Sequence, residues 1–232
     1  MFERKGIGWA QRSALRNAPA LPGRRAWLAH CSGLVLFVVA GAAGAASPHR
    51  ILVVGDSLSA EYGLVRGTGW VALLAARLAE RKVDASVVNA SISGDTTAGG
   101  RSRLPALLRQ HKPTLVILEL GGNDALRGLP IEQTRAHLLE MTRAARAAGA
   151  KVLVVGMQVP PNYGRRYSDD FVGMFASVAR SEQSALVPFL LAGVADGPQA
   201  AELFQNDRIH PNQAAHPRML DNVWAVLETL LR

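Results

Sequence analysis

The chain has 232 residues, 49% of them apolar and 19% charged. That composition supports a packed core and excludes wholesale disorder. A single cysteine excludes an intramolecular disulfide framework and any multi-cysteine metal site. A net charge of +8 raises nucleic acid or an anionic surface as partners until the charges are located.

Many of them lie at the N-terminus. Arg4, Lys5, Arg12, Arg16, Arg24 and Arg25 face one acid, Glu3, and no charge falls between Leu34 and Ala46. The run Leu34–Ala40 is strongly apolar, and small residues follow to Ala46 before Ser47-Pro48. A basic region, a short apolar core and a small-residue cleavage site read as a secretory signal peptide over residues 1–46. The cut is expected after Ala45 or Ala46. The apolar stretch is short for a membrane span of roughly 20 residues, so no stable anchor is expected after cleavage. Arg24-Arg25 leaves general and twin-arginine export both open. Cys31 leaves with the peptide. Residues 47–232 then keep 20 basic and 17 acidic residues, a charge of +3. The basic balance is largely an export signal, and no nucleic-acid partner is expected.

The remainder alternates strands with helices. Ile51–Gly55 is a short β-branched run suited to a parallel strand buried on both faces. Trp70–Leu78 has helical spacing. Ser86–Asn89 is a second strand, and Arg101–Gln110 a helix, with Pro105 tolerable only in a first turn. Leu115–Leu120 is the clearest central strand. Ile131–Ala148 is an amphipathic helix stopped by Gly149, and Lys151–Val155 a fourth strand. A helix over Asp170–Gln183, a weaker strand over Ala185–Phe189 and a closing helix over Asn212–Leu231 complete the series. This order predicts one α/β domain, residues 47–232, with a mostly parallel sheet and helices on both faces.

Ligands of such sheets bind beyond the carboxyl ends of the strands. Asp56-Ser57-Leu58-Ser59 follows the first strand and Ser91–Thr96 the second. Gly121-Gly122-Asn123-Asp124 follows the third, and Asp207–Asn212 precedes the last helix. Ser57, at a strand-to-helix turn, needs a base to become a nucleophile. His210 can accept its proton and return it to a leaving group. Asp207, three residues earlier, can orient the imidazole. Attack on an ester creates an oxyanion. The backbone N–H groups of Ser57 and Gly94 and the Asn123 amide can bind it. Each piece alone has a plainer reading: Asp56 or Ser57 as a helix cap, the glycines as a turn, His210 as a surface histidine. Their joint placement on one edge favours the catalytic reading.

Those residues resemble the SGNH (GDSL) hydrolase family. The motifs that carry the resemblance are Gly55-Asp56-Ser57-Leu58-Ser59, Ala90–Thr96, Leu118–Asp124, Pro161–Tyr167 and Asp207–Asn212, and it spans roughly Arg50 to Leu230. It implies a three-layer α/β/α, flavodoxin-like sandwich with a five-stranded parallel sheet, and no metal or cofactor. It implies Ser57 as nucleophile, Gly94 and Asn123 completing the oxyanion hole, and Asp207 with His210 completing the triad. It also implies a loop after the fourth strand, Pro160 to Tyr167, that shapes an acyl-chain site; Asp56, Pro160, Tyr163 and Arg165 are the expected substrate contacts. Arg208 stands where a glycine is frequent, and Glu61 where relatives carry glycine. The expected substrate is a small acyl ester or thioester. An O-acetylated carbohydrate, or a non-catalytic envelope lipid- or glycan-binding role, is the alternative. Oligomeric state is left open.

Gly67-Thr68-Gly69-Trp70-Val71-Ala72 loosely matches a dinucleotide fingerprint. It does not directly follow the first strand, and nucleotide binding is not expected. Arg165-Arg166 is either an acidic-headgroup contact or a solvated turn. His49, His111, His137 and His216 read as surface residues.

Overall fold

The computed structural model describes residues 48–232, within a compact unit running from Ala46 to Arg232. The expected signal peptide, its cleavage site and Cys31 lie outside the described residues. Five strands, β1 (His49–Gly55), β2 (Ala85–Asn89), β3 (Leu115–Glu119), β4 (Lys151–Val155) and β5 (Ala185–Val187), form one parallel sheet in the order β2-β1-β3-β4-β5. β1 and β3 occupy its centre. Ile51, Leu52, Val53 and Val54 are buried, as are Leu115, Val116, Ile117 and Leu118. Both strands read as unbroken apolar runs because each is covered on two faces.

The helices are α1 (Trp70–Glu80), α2 (Thr97–His111), α3 (Gly122–Leu126), α4 (Ile131–Ala147), α5 (Arg165–Ser181) and α6 (His216–Leu230). α1 packs with α6, while α4 packs with both α2 and α5. These two groups cover opposite faces and give the three-layer α/β/α sandwich. The sheet order is the flavodoxin-like one, whose switch point lies between β1 and β3.

Several boundaries differ from expectation, each for a local reason. α2 begins at Thr97, because Thr96 caps it by accepting the Gly99 N–H. Pro105 therefore sits inside the helix rather than in its first turn. β5 stops at Val187 because Pro188 has no N–H for the ladder. Asn212 caps a 3₁₀ turn, Gln213–Ala215, before α6 opens at His216. α5 starts five residues earlier than expected, right after Gly164 at φ 86°. Residues Gly122–Leu126, where a turn is expected, form the short helix α3 that carries the Asn123 amide. No regular helix follows Ser57 directly. Residues 57–62 form helix-like turns instead, in which Ala60 and Tyr62 N–H donate to the Asp56 and Ser57 carbonyls.

Candidate active site

β1 and β3 end side by side, with Gly55 level with Glu119. Ser57 and Asn123 therefore emerge at the switch point. The loop before α6 delivers the rest. Phe204 and Pro211 form an antiparallel bridge, and Gln205 N–H donates to the His210 carbonyl at 2.7 Å, closing a tight loop around Asp207–His210.

Three side chains meet there in series. His210 Nε2 lies 2.9 Å from Ser57 Oγ, and His210 Nδ1 lies 2.6 Å from Asp207 Oδ2. Asp207 Oδ1 accepts the backbone N–H groups of Ile209 and His210 at 2.9 and 3.0 Å. The His210 backbone bond, then the bond to its ring, hold the Asp207 carboxyl down at about 2. It stays ionised across the working range and faces the ring nitrogen away from Ser57. The sharp turn that permits this places Arg208 at φ 57°, a left-handed conformation that favours glycine. Arg208 thus occupies strained backbone, and its side chain is exposed. The Tyr62 ring lies 4.4 Å from the His210 ring.

The expected oxyanion donors are free to act. Ser57 and Gly94 N–H donate to no group among the described residues. Asn123 Nδ2 donates one hydrogen to Asp56 Oδ2 at 3.0 Å, leaving the other available. Gly94 sits at φ 78°, and Arg127 donates to its carbonyl at 2.8 Å. Arg103 joins the loops after β1 and β2 by donating to the Gly55 and Ala90 carbonyls and pairing with Asp95 at 2.8 Å.

Asp56 differs from its expected place as a substrate contact. It is 3% exposed, and its oxygens accept from Leu58 N–H and Asn123. It lies under the site rather than in it. Beneath it is Glu119, fully buried, whose Oε2 accepts from Ser59 Oγ at 2.6 Å and Asp56 N–H at 3.3 Å, while Oε1 has no partner among the described residues. Burial pushes Asp56 up to about 6. Glu119 is raised well above its ordinary value by burial and then by the charge of Asp56. The signal for Glu119 was in the sequence: one acid in an otherwise apolar central strand.

The loop after β4 stands apart from the triad. Tyr163, Gly164, Arg165, Arg166, Tyr167 and Asp170 line a surface cleft of about 420 Å³. Pro160 is exposed and outside that lining. No hydrogen bond, ion pair or ring contact joins Pro160, Tyr163 or Arg165 to Ser57, His210 or Asp207. Arg165 and Arg166 each face an acid one turn on, at 3.7 and 3.9 Å, and both are almost fully exposed. A row of rings, Tyr163, Tyr167, Phe171 and Phe175, leads from this cleft to Gly121, beside the Asn123 helix.

Two histidines expected at the surface are buried. His216 is 2% exposed and accepts the Trp70 N–H on Nδ1 at 3.0 Å. His137 is 6% exposed and meets Thr97 Oγ1, which also donates to Asp124. Helical spacing alone did not reveal which helix face each would occupy. Gln205 was also missed. Its amide donates to the Tyr62 carbonyl at 2.9 Å and ties the Ser57 loop to the His210 loop. Among the described residues no group of three His, Cys, Asp or Glu side chains is placed to hold a metal ion.

A hydroxyl, an imidazole and a carboxylate in one chain of contacts, at the switch point of a parallel sheet, define a serine hydrolase. The sequence profile described as the GDSL-like lipase/acylhydrolase family matches residues 53–218. Esterase TesA of Pseudomonas aeruginosa is 53% identical over 204 residues, covering 88% of this chain and 98% of that protein. The thioesterase 1/protease 1/lysophospholipase L1 of Escherichia coli K12 is 41% identical over 196 residues, covering 84% and 91%. A crystal structure of TesA superposes with a TM-score of 0.76 at 54% identity, covering 78% of this chain and 99% of its own. The chain belongs to the GDSL-like lipase/acylhydrolase family and is an enzyme that hydrolyses ester bonds of small molecules.

Proposed function

We propose that the chain is exported and that its mature part, residues 47–232, cleaves acyl esters and thioesters through an acyl-Ser57 intermediate. The observation that carries this is the pair of contacts at His210, 2.9 Å to Ser57 Oγ and 2.6 Å to Asp207 Oδ2. Ser57 Oγ attacks the acyl carbonyl while His210 Nε2 takes its proton. Asp207 keeps the proton on Nδ1 and stabilises the imidazolium. Ser57 N–H, Gly94 N–H and Asn123 Nδ2 hold the oxyanion. Collapse expels the alcohol or thiol, which takes the proton from His210. A water activated by the same ring then frees the acid.

Asp56 serves by orienting Asn123, not by touching substrate. Tyr163 and Arg165, on the rim of the 420 Å³ cleft, are the acyl-site candidates, with Pro160 shaping the turn before them. The apolar run and small-residue site in residues 34–46 support export to the periplasm or beyond. No helix of the described residues is long and apolar enough to cross a membrane.

Turnover of 4-nitrophenyl esters of increasing chain length by residues 47–232 tests the reading. Ser57→Ala should abolish turnover, and a fluorophosphonate should label wild type but not that variant. Undiminished turnover in Ser57→Ala would refute the nucleophile. Activity confined to acetyl esters would move the substrate to an acetylated carbohydrate.

A further inference from the structure

Six large apolar side chains are exposed among the described residues: Tyr62, Val65, Ile92, Leu126, Val172 and Ile209, from 37% to 71%. Scattered exposed apolar residues are ordinary. These are not scattered. All but Val172 lie on the segments that follow β1, β2 and β3 or on the loop before α6, which is the carboxyl edge of the sheet. They flank the triad on two sides. Tyr62 packs on His210, next to Ile209. Across the site Arg127, next to Leu126, reaches the carbonyl of Gly94, two residues from Ile92.

Charge follows the same pattern. Three of these tips pair an aliphatic residue with an adjacent exposed arginine: Val65-Arg66, Leu126-Arg127 and Arg208-Ile209. None of the three arginines forms an ion pair among the described residues. The acids nearby are engaged. Glu61 accepts Gly67 and Gly69 N–H, Asp95 pairs with Arg103, Asp124 is buried on Thr97, and Asp207 holds His210. The edge therefore offers apolar tips and unpaired cations together.

We propose that this edge docks on an anionic phospholipid surface, with Val65, Ile92, Leu126 and Ile209 below the headgroups and Arg66, Arg127 and Arg208 on phosphates. Separate apolar tips on several loops suit a deformable interface, into which each enters independently. Guanidinium groups suit phosphate oxygens, and their stems can lie along the apolar layer. Docking in this pose holds Ser57 against the layer that contains acyl chains. The purpose of that pose rests on Ser57 being the nucleophile; the binding does not.

The test uses residues 47–232 carrying Ser57→Ala, so that lipid is not consumed. Residues 1–46 are omitted because their apolar run would bind lipid itself. The match to the TesA crystal structure takes in 99% of that folded chain and 78% of this one, and residues 46–232 form a compact unit by themselves. Cosedimentation is measured with vesicles of phosphatidylcholine alone and of an equimolar mixture with phosphatidylglycerol. Binding should favour the mixed vesicles and weaken with salt. Arg66→Gln should lower the partition coefficient roughly fivefold, the effect of one cation near such a surface. Adding Val65→Ser and Leu126→Ser should lower it further. In the Ser57 background those three changes should leave turnover of a soluble short-chain ester unchanged. Arg109→Gln, an exposed cation near the end of α2, should not alter binding. Absence of binding to the mixed vesicles at low salt would overturn the proposal. So would equal losses from Arg66→Gln and Arg109→Gln, or a lipid-free dimer abolished by the triple change. Each is read separately from turnover of the soluble ester, which tests the catalytic assignment.

Discussion

Ser57 stands above two buried carboxyl groups, and their protonation bears on the oxyanion hole. An ionised Asp56 can only accept hydrogen bonds, so it fixes which end of the Asn123 amide faces it. Protonated Asp56 can donate, and the amide is then free to present its oxygen. With Asp56 at about 6, activity should fall on the acid side as Asp56 takes up its proton. Burial and the charge of Asp56 both raise Glu119 and so favour its neutral form beside an ionised Asp56. Glu119→Gln should therefore leave the acid limb of kcat/KM where it is; a limb displaced to lower pH would mean that Glu119 carries charge. Asn123→Ala should lower kcat by roughly 10²–10³, and its residual activity should lack the component from Asp56. The meeting of Ser57, His210 and Asp207 was legible because their residue types announce chemistry at the carboxyl edge of the sheet. The support beneath them was less so: the place of Asp56 depends on which way a side chain points after the last strand residue, and nothing local fixes that.

Among the elements, the segment between β1 and α1 is gathered by one residue in a left-handed conformation. Glu61 stands at φ 60°, where glycine would be unstrained. Its carboxylate accepts the Gly67 N–H at 3.0 Å and the Gly69 N–H at 2.8 Å, gathering the loop that presents Tyr62 to His210. The two effects can be separated. Glu61→Gly loses the acceptor but relieves the backbone, whereas Glu61→Ala loses the acceptor and keeps the strain. Denaturant unfolding should rank wild type above Glu61→Gly and that above Glu61→Ala, the last two differing by about 1 kcal/mol. Equal stability for the two variants would show that the left-handed backbone costs nothing here. Two residues on, Gly63 at φ 70° would place a Cβ 2.1 Å from Gln205 Oε1, so a side chain there would have to displace that amide. Strand interiors were legible from their apolar runs. The starts of α1 and α4 were legible too, but that of α2 was not, because it begins where the Thr96 side chain caps it, and periodicity does not register caps.

For the whole molecule, the alternation of strands and helices sufficed to predict a mostly parallel sheet with helices on both faces, since short crossovers leave few other arrangements. It could not locate the polar contacts between layers. His216 is the clearest of these. At the start of α6 it accepts the first N–H of α1 from Trp70, a donor that a helix N-terminus otherwise leaves unpaired. Only a neutral ring can accept it. Burial lowers the His216 pKa below its ordinary 6.5, against the opposing pull of the Pro211 carbonyl and Glu61. The unfolded chain therefore binds this proton more readily, and stability from His216, complete above 6.5, is lost as pH falls toward the folded value. Asp56 acts with the other sign. Its folded value of about 6 exceeds 3.8, so the folded chain binds more protons between them and gains stability as pH falls. His216→Asn keeps an acceptor near Nδ1 but cannot titrate. It should be less stable than wild type at pH 8, because part of the ring is lost from a packed site. Its melting temperature should nonetheless decline less than that of wild type from pH 7 to about 5.5. Parallel declines in the two proteins would remove His216 as the source of acid sensitivity.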